Sequence, residues 1–232
     1  MTDPPTARYL AESTTVEIAA DVPAVLLVPV GSCEQHGPHL PLDTDTRIAA
    51  ALCNAAAAGR RDVAVAPPIA IGASGEHAGF AGTMSIGTEV LGLVVVELVR
   101  SVVGPHRAVV LVNGHGGNSA ALASAAAQCW SEGRPTHVYA PRATGGDAHA
   151  GLTETSVMLA LHPASVRQEL AEPGCVTPLA DIADQLRSEG VLGVAPNGVL
   201  GDPTGATPQH GRRLLARWVA ELAEVIDGCL AG

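Results

Sequence analysis

Short apolar runs alternate along the chain with longer Ala-, Leu- and Val-rich stretches at helical spacing, and each pair is divided by Gly, Pro or polar residues. Ala24–Val30 is the strongest apolar run and reads as a buried strand; Val63–Ala66, Ala108–Val112 and His137–Ala140 follow as further strands. Between them the spacing predicts helices over Thr44–Ala58, Thr88–Val103, Ser119–Ser131 and from about Glu154 to Leu161. Asp43 or Thr44 is the expected N-cap of the first, with Gly59 as its stop. Strand and helix in alternation, with short links, predict an α/β fold with a mostly parallel sheet covered on both faces. The C-terminal third differs, with a helix near Asp181–Ser188, a Gly/Pro/Asn-rich loop over Gly190–Pro208 and a last amphipathic helix to Leu230. No repeat or low-complexity linker divides the chain, so residues 1–232 are expected to form one domain, with 1–21 as an N-terminal arm or extra strand.

Composition narrows this further. Apolar residues make up 47% and aromatics only 2%, so the core must be built from Ala, Val, Leu and Ile. The net charge of −10 argues against a non-specific nucleic-acid or anionic-membrane surface. The start of the chain is polar and acidic, and the longest apolar run, around Leu91–Val103, is interrupted by Glu97 and Arg100. Neither a signal peptide nor a membrane span is expected. Five scattered cysteines without a Cys-x-x-Cys pair fit reduced thiols in the cytoplasm.

The chemistry-bearing residues fall after strands. The first strand feeds a loop carrying Glu34, His36, His39, Asp43 and Asp45, and the carboxyl end of a strand is where an α/β sheet opens its ligand crevice. Carboxylates and imidazoles so closely spaced suit a divalent first-row metal. A second loop, Asn113-Gly-His-Gly-Gly-Asn118, sets His115 at the end of another buried strand. A third holds Asp147 and His149, followed by Glu154, which is either a ligand or a first-turn acid facing the helix dipole. Glu76, His77 and Phe80 lie in a long Gly-rich loop, Ile69–Gly87, of the kind that walls a substrate site. Cys33 is either a soft neighbour of the metal or a filler where Ser would serve, and His106, His137, His162 and His210 read as surface or capping residues. Trp130 and Trp218 read as core or interface.

Together the 28–45 loop, the 113–118 loop and Asp147-Ala-His-Ala-Gly-Leu-Thr-Glu154 resemble the creatininase family of metal-dependent amidohydrolases, from about residue 20 to 215. The resemblance implies a layered fold with the metal site at the strand ends, two divalent ions (zinc, iron(II) or manganese) and a homo-oligomer, a hexamer or larger ring. It implies that Glu34 and His36 each hold one ion, that Asp45 bridges them, and that His115 joins the ion on Glu34. The pattern departs at Gly117, where creatininase proper has a glutamate; Glu154 is the best-placed substitute. Creatininase's substrate tryptophans also have no counterpart between Thr144 and Gly151.

On these residues His149 is the expected general acid toward the leaving amine, with Asp147 orienting it. Backbone amides at Gly116 and Gly117 are expected to support the oxyanion, and His39, Glu76, His77, Phe80 and Asn113 to contact substrate. Gly72–Thr83 and Pro196–Ala206 are similar to a subgroup of the family that acts on a short ribosomal precursor peptide. That likeness implies a peptidase releasing a modified C-terminal Val-Tyr dipeptide. A hydrolase of a small cyclic amide or formamide is the alternative, and a non-catalytic metal-stabilised assembly protein is the second.

Overall fold

The computed structural model describes residues 7–102, 106–143 and 145–231. Residues 1–6 of the N-terminal segment, Val103 at the end of a predicted helix and Thr144 of the third loop lie outside the described residues. In chain order the elements are β1 (Arg8–Tyr9), α1 (Thr15–Ala20), β2 (Val25–Val30), α2 (Thr44–Ala57), β3 (Val63–Val65), α3 (Thr88–Ser101) and β4 (Ala108–Asn113). They continue as α4 (Ser119–Ser131), β5 (Thr136–Tyr139), α5 (Leu152–Leu161), α6 (Leu179–Val194) and α7 (Pro208–Ala231). The strands form one sheet in the order β1-β3-β2-β4-β5, every pair parallel.

The two central strands decide where the site lies. Every residue of β2 and β4 is buried, as a parallel sheet covered on both faces requires. Their register pairs Val25 with Ala108 and Val30 with Asn113, so both strands end side by side. The loops carrying Glu34 and His115 therefore leave the sheet as neighbours, at a crevice of the open α/β type.

Alternation along β2 divides the core. Val25 and Leu27 face Ile48 and Leu52 of α2, Met158 of α5 and Trp218 of α7. Leu26, Val28 and Val30 face Leu91 and Val95 of α3 and Leu122 of α4. Helices thus cover both sides of the sheet, in three layers. Trp218 is buried as expected; Trp130 is half exposed, its indole N–H donating to Thr136 O at 2.7 Å.

The N-terminal segment supplies a strand, and one element departs from the sequence expectation at the site. Arg8–Tyr9 pairs with β3 as an edge strand, and Thr14 and Glu17 cap α1 reciprocally. More important, α6 runs well past Ser188 and bends at Gly190, whose backbone (φ 68°, ψ −176°) is open to glycine alone. That bend lays Val191 against Ile182, Ala195 and Leu200 in a small third cluster with half-buried Phe80. Among the described residues no helix is long and apolar enough to cross a membrane.

Candidate metal centre

Glu34, His36, Asp45, His115, His149 and Glu154 converge beyond the ends of β2 and β4, all but Glu154 buried. Glu34 and His36 follow β2, and Asp45 sits in the first turn of α2. Ser32 Oγ donates to Asp45 Oδ2 at 2.7 Å, which fixes that carboxylate. His115 reaches the same place from β4 because Gly114 passes against Asp45: a Cβ on Gly114 would collide with the Asp45 carbonyl. His149 is tied to Leu200 by main-chain bonds of 3.2 and 2.9 Å, and Ala150 beside it holds a left-handed φ of 52° that turns the chain into α5.

Three overlapping sets of donors result. Glu34, Asp45 and His115 form one; His36, Asp45 and Glu154 a second; Glu34, His36 and His149 a third, each with its ligand atoms within 4.8 Å of one another. His115 Nδ1 lies 3.1 Å from Glu34 Oε1 and 3.4 Å from Asp45 Oδ2, and His36 Nε2 lies 3.1 Å from Asp45 Oδ1. Both carboxylate oxygens of Glu34 are buried without a hydrogen-bond partner, although imidazole nitrogens of His115 and His77 stand 3.1 and 3.2 Å away. A buried, unpaired carboxylate is costly. Buried carboxylate oxygens and imidazole nitrogens that converge in this way, with both Glu34 oxygens unpartnered, are the donor set of a divalent cation, and these residues fit one.

The protein charges show the same mutual dependence. Burial opposes a charged His36, but Asp45, with Glu154 and Glu34, raises it to about 9. Burial likewise disfavours the charged forms of Asp45 and His115, yet His36 and then His115 hold Asp45 well below the ordinary range, and Asp45, Glu34 and Glu76 hold His115 well above it. Burial pushes Glu154 up to about 7 despite the pull of His36. His149 is pushed well below the ordinary range by burial and then by His36 and His77.

This cluster is the floor of an open cleft. Glu76, His77, Gly116, Gly117, His149 and Glu154 line it. Leu179, Leu186 and Val191 of α6, with Leu200, form an apolar wall that the sequence did not mark, and Val191 lies past the expected end of the helix. The missing carboxylate at Gly117 has a physical counterpart: a Cβ there would collide with the Glu76 carboxylate, which occupies that space 3.3 Å from His115 Nε2.

Four expected site residues sit differently. His39 is fully buried behind the cleft, with Nε2 2.8 Å from Thr155 Oγ1. Asn113 is spent on the turn, its amide donating to His115 O at 2.8 Å and its carbonyl accepting from His115 N at 3.2 Å. Phe80 packs into the third apolar cluster. Asp147 does not reach His149; its carboxylate accepts the main-chain N–H groups of Leu152 and Thr153 and so caps α5. Short polar side chains at loop ends serve the backbone first, and spacing alone does not reveal it.

A family model described as "Creatininase: Creatinine amidohydrolase" matches residues 11–226. The chain belongs to the creatininase family. It is a hydrolase of amide bonds. It is 49% identical over 225 residues to the "Mycofactocin precursor peptide peptidase" of Mycolicibacterium smegmatis, covering 95% of this chain and 88% of that one. The protein of the same description from Mycobacterium ulcerans is 47% identical over 235 residues, covering 98% and 91%. Among solved structures, a creatininase mutant described as "Zn-Zn type" superposes with a TM-score of 0.75 at 26% identity, covering 95% of this chain and 97% of that one. "Creatininase Mn" superposes at 0.73 and 25% identity, with the same coverage.

Proposed function

We propose that this creatininase-family member is the metal-dependent peptidase of mycofactocin maturation, hydrolysing a short ribosomal precursor peptide to release its modified C-terminal Val-Tyr dipeptide. The carrying observation is a polar floor with overlapping cation-ligand sets beneath an apolar wall of Leu179, Leu186, Val191 and Leu200. Leucine and valine stand on that wall, which suits the aliphatic and aromatic side chains of a Val-Tyr terminus. Close likeness to two peptidases of that description supports the same reading.

In this scheme Glu34, Asp45 and His115 would hold one divalent ion, and His36 and Glu154, again with Asp45, would hold a second. Zinc, iron(II) and manganese all suit such mixed nitrogen and oxygen donors. Bound ions supply Lewis acidity at the scissile carbonyl and acidify water toward neutral pKa. The protein does the rest. His149 moves a proton to the leaving amine. His77 and the main-chain amides of Gly116 and Gly117 offer hydrogen bonds to the carbonyl oxygen as it gains charge. The apolar wall excludes water and aligns the peptide.

The reading extends to a single domain working in the cytoplasm as a homo-oligomer, a hexamer or larger ring. Val90, Leu93 and Val94 on one exposed face of α3 support association. The test is mass spectrometry of the radical-modified precursor peptide incubated with metal-loaded protein. Chelator-sensitive appearance of the modified dipeptide is expected. An intact peptide with loaded protein, and turnover of small cyclic amides instead, overturns the peptidase reading.

A further inference from the structure

Gln35 stands between Glu34 and His36 in the sequence and is buried, yet no feature of the sequence marks it for a role. Its side-chain carbonyl accepts from Gly37 N at 2.9 Å, and this sets which end of the amide turns inward. The inward nitrogen lies 2.8 Å from His77 Nδ1, 3.0 Å from Gly198 O and 3.0 Å from His149 Nε2. An amide nitrogen has two hydrogens for these three neighbours. The main chain removes one of them, because His149 Nε2 is 2.8 Å from the carbonyl oxygen of Gln35, to which it can only donate. A nitrogen that carries that proton cannot also accept. The two amide hydrogens therefore go to Gly198 O and His77 Nδ1.

Two consequences follow from one residue. His77, accepting at Nδ1, is neutral and carries its proton on Nε2, 3.2 Å from Glu34 Oε1. His149 keeps its Nε2 proton on the Gln35 main chain and turns Nδ1 toward the same oxygen, 3.8 Å away. The two rings also pack together, centroids 4.4 Å apart.

We propose that Gln35 is a positioning residue: its side-chain amide holds His77 as the Nε2–H tautomer, a fixed hydrogen-bond donor facing the cleft, while its main-chain carbonyl holds the Nε2–H of His149. The tautomer follows from the hydrogen bonds alone; its effect on turnover rests on the peptidase reading. It distinguishes two histidines that look interchangeable in the sequence, one set by the side-chain amide and one by the main chain.

The test is magic-angle-spinning NMR of the full chain labelled with 15N-histidine and loaded with zinc, which is diamagnetic. His77 and His149 are assigned from the spectra of His77→Gln and His149→Gln. In the wild type both rings are expected to be protonated at Nε2 and bare at Nδ1. Gln35→Glu replaces the donor with an acceptor and is expected to move the His77 proton to Nδ1, leaving His149, held by the main chain, unchanged. Gln35→Met, of similar length, removes the donor without adding an acceptor and is expected to mix the two His77 tautomers. Both variants should keep the wild-type zinc content, since His77 belongs to none of the three ligand sets. Against the precursor peptide, kcat should fall about 10–100-fold, the size usual for lost support of a site residue, with KM little changed. His77 protonated at Nδ1 in the wild type, or both variants leaving its tautomer and kcat as they were, overturns the proposal. A wild type that ignores the peptide sinks the peptidase reading alone, because the spectra still decide the tautomer.

Discussion

Asp147 and His149 are two residues apart, and a carboxylate so near a candidate proton carrier invites an orienting role. The structure spends that carboxylate elsewhere, on the first main-chain N–H groups of α5. The two roles separate cleanly by substitution. Asparagine keeps only one of the two acceptor oxygens, so Asp147→Asn should lose part of the cap, stay folded and hold kcat near wild type. Asp147→Ala should lose about 0.5–2 kcal/mol in a urea titration, the usual cost of a lost cap. If Asp147 oriented His149, the asparagine variant would instead lose kcat while remaining stable. The orientation of His149 comes from the main-chain carbonyl of Gln35, which no side chain in the sequence marks.

At the level of elements, α6 shows how a single backbone position shapes the cleft. Its bend at Gly190 brings the helix so close to the 75–77 loop that a Cβ on Gly190 would lie 2.8 Å from the main-chain oxygen of Glu76. Gly190→Ala must therefore meet both a backbone region that side chains avoid and a steric contact with the loop. A loss of about 1–3 kcal/mol in unfolding free energy is expected from the backbone alone. Because Leu186 and Val191 flank the bend and line the cleft, KM for the peptide should rise more than kcat falls. Unchanged KM in a destabilised variant would show that this wall does not touch substrate. The strands and most helices were legible in the sequence because each has its own period: β2 and β4 are unbroken apolar runs, and Ser119–Ser131 is the helix its pattern predicts. The course of α6 was not, since a glycine in a helical pattern reads as a stop and only the neighbouring loop shows it to be a bend.

For the whole molecule, the residues gathered at the strand ends come from loops up to about half the chain apart, and motif chemistry anticipated that meeting for Glu34, His36, Asp45, His115 and Glu154. It did not anticipate who fills the space at Gly117, because the approach of the Glu76 carboxylate is visible only where two loops touch. Such a centre has a consequence for stability. The Glu34 carboxylate is buried without a hydrogen-bond partner, so the folded chain has a cost that bound cations offset. Cations that bind the native arrangement and not the unfolded chain stabilise it by mass action, about 4 kcal/mol when free metal exceeds Kd a thousandfold. In a chain of this size each kcal/mol moves Tm by about 2–4 °C, so a strong chelator should lower Tm by roughly 8–16 °C. The drop should reverse on adding back zinc or manganese and should shrink in Glu34→Gln, whose neutral amide costs less to bury without a cation. Scanning calorimetry of the two proteins with and without chelator makes the comparison. Equal Tm values in all four samples would mean that the cluster is balanced by its own histidines and holds no cation tightly.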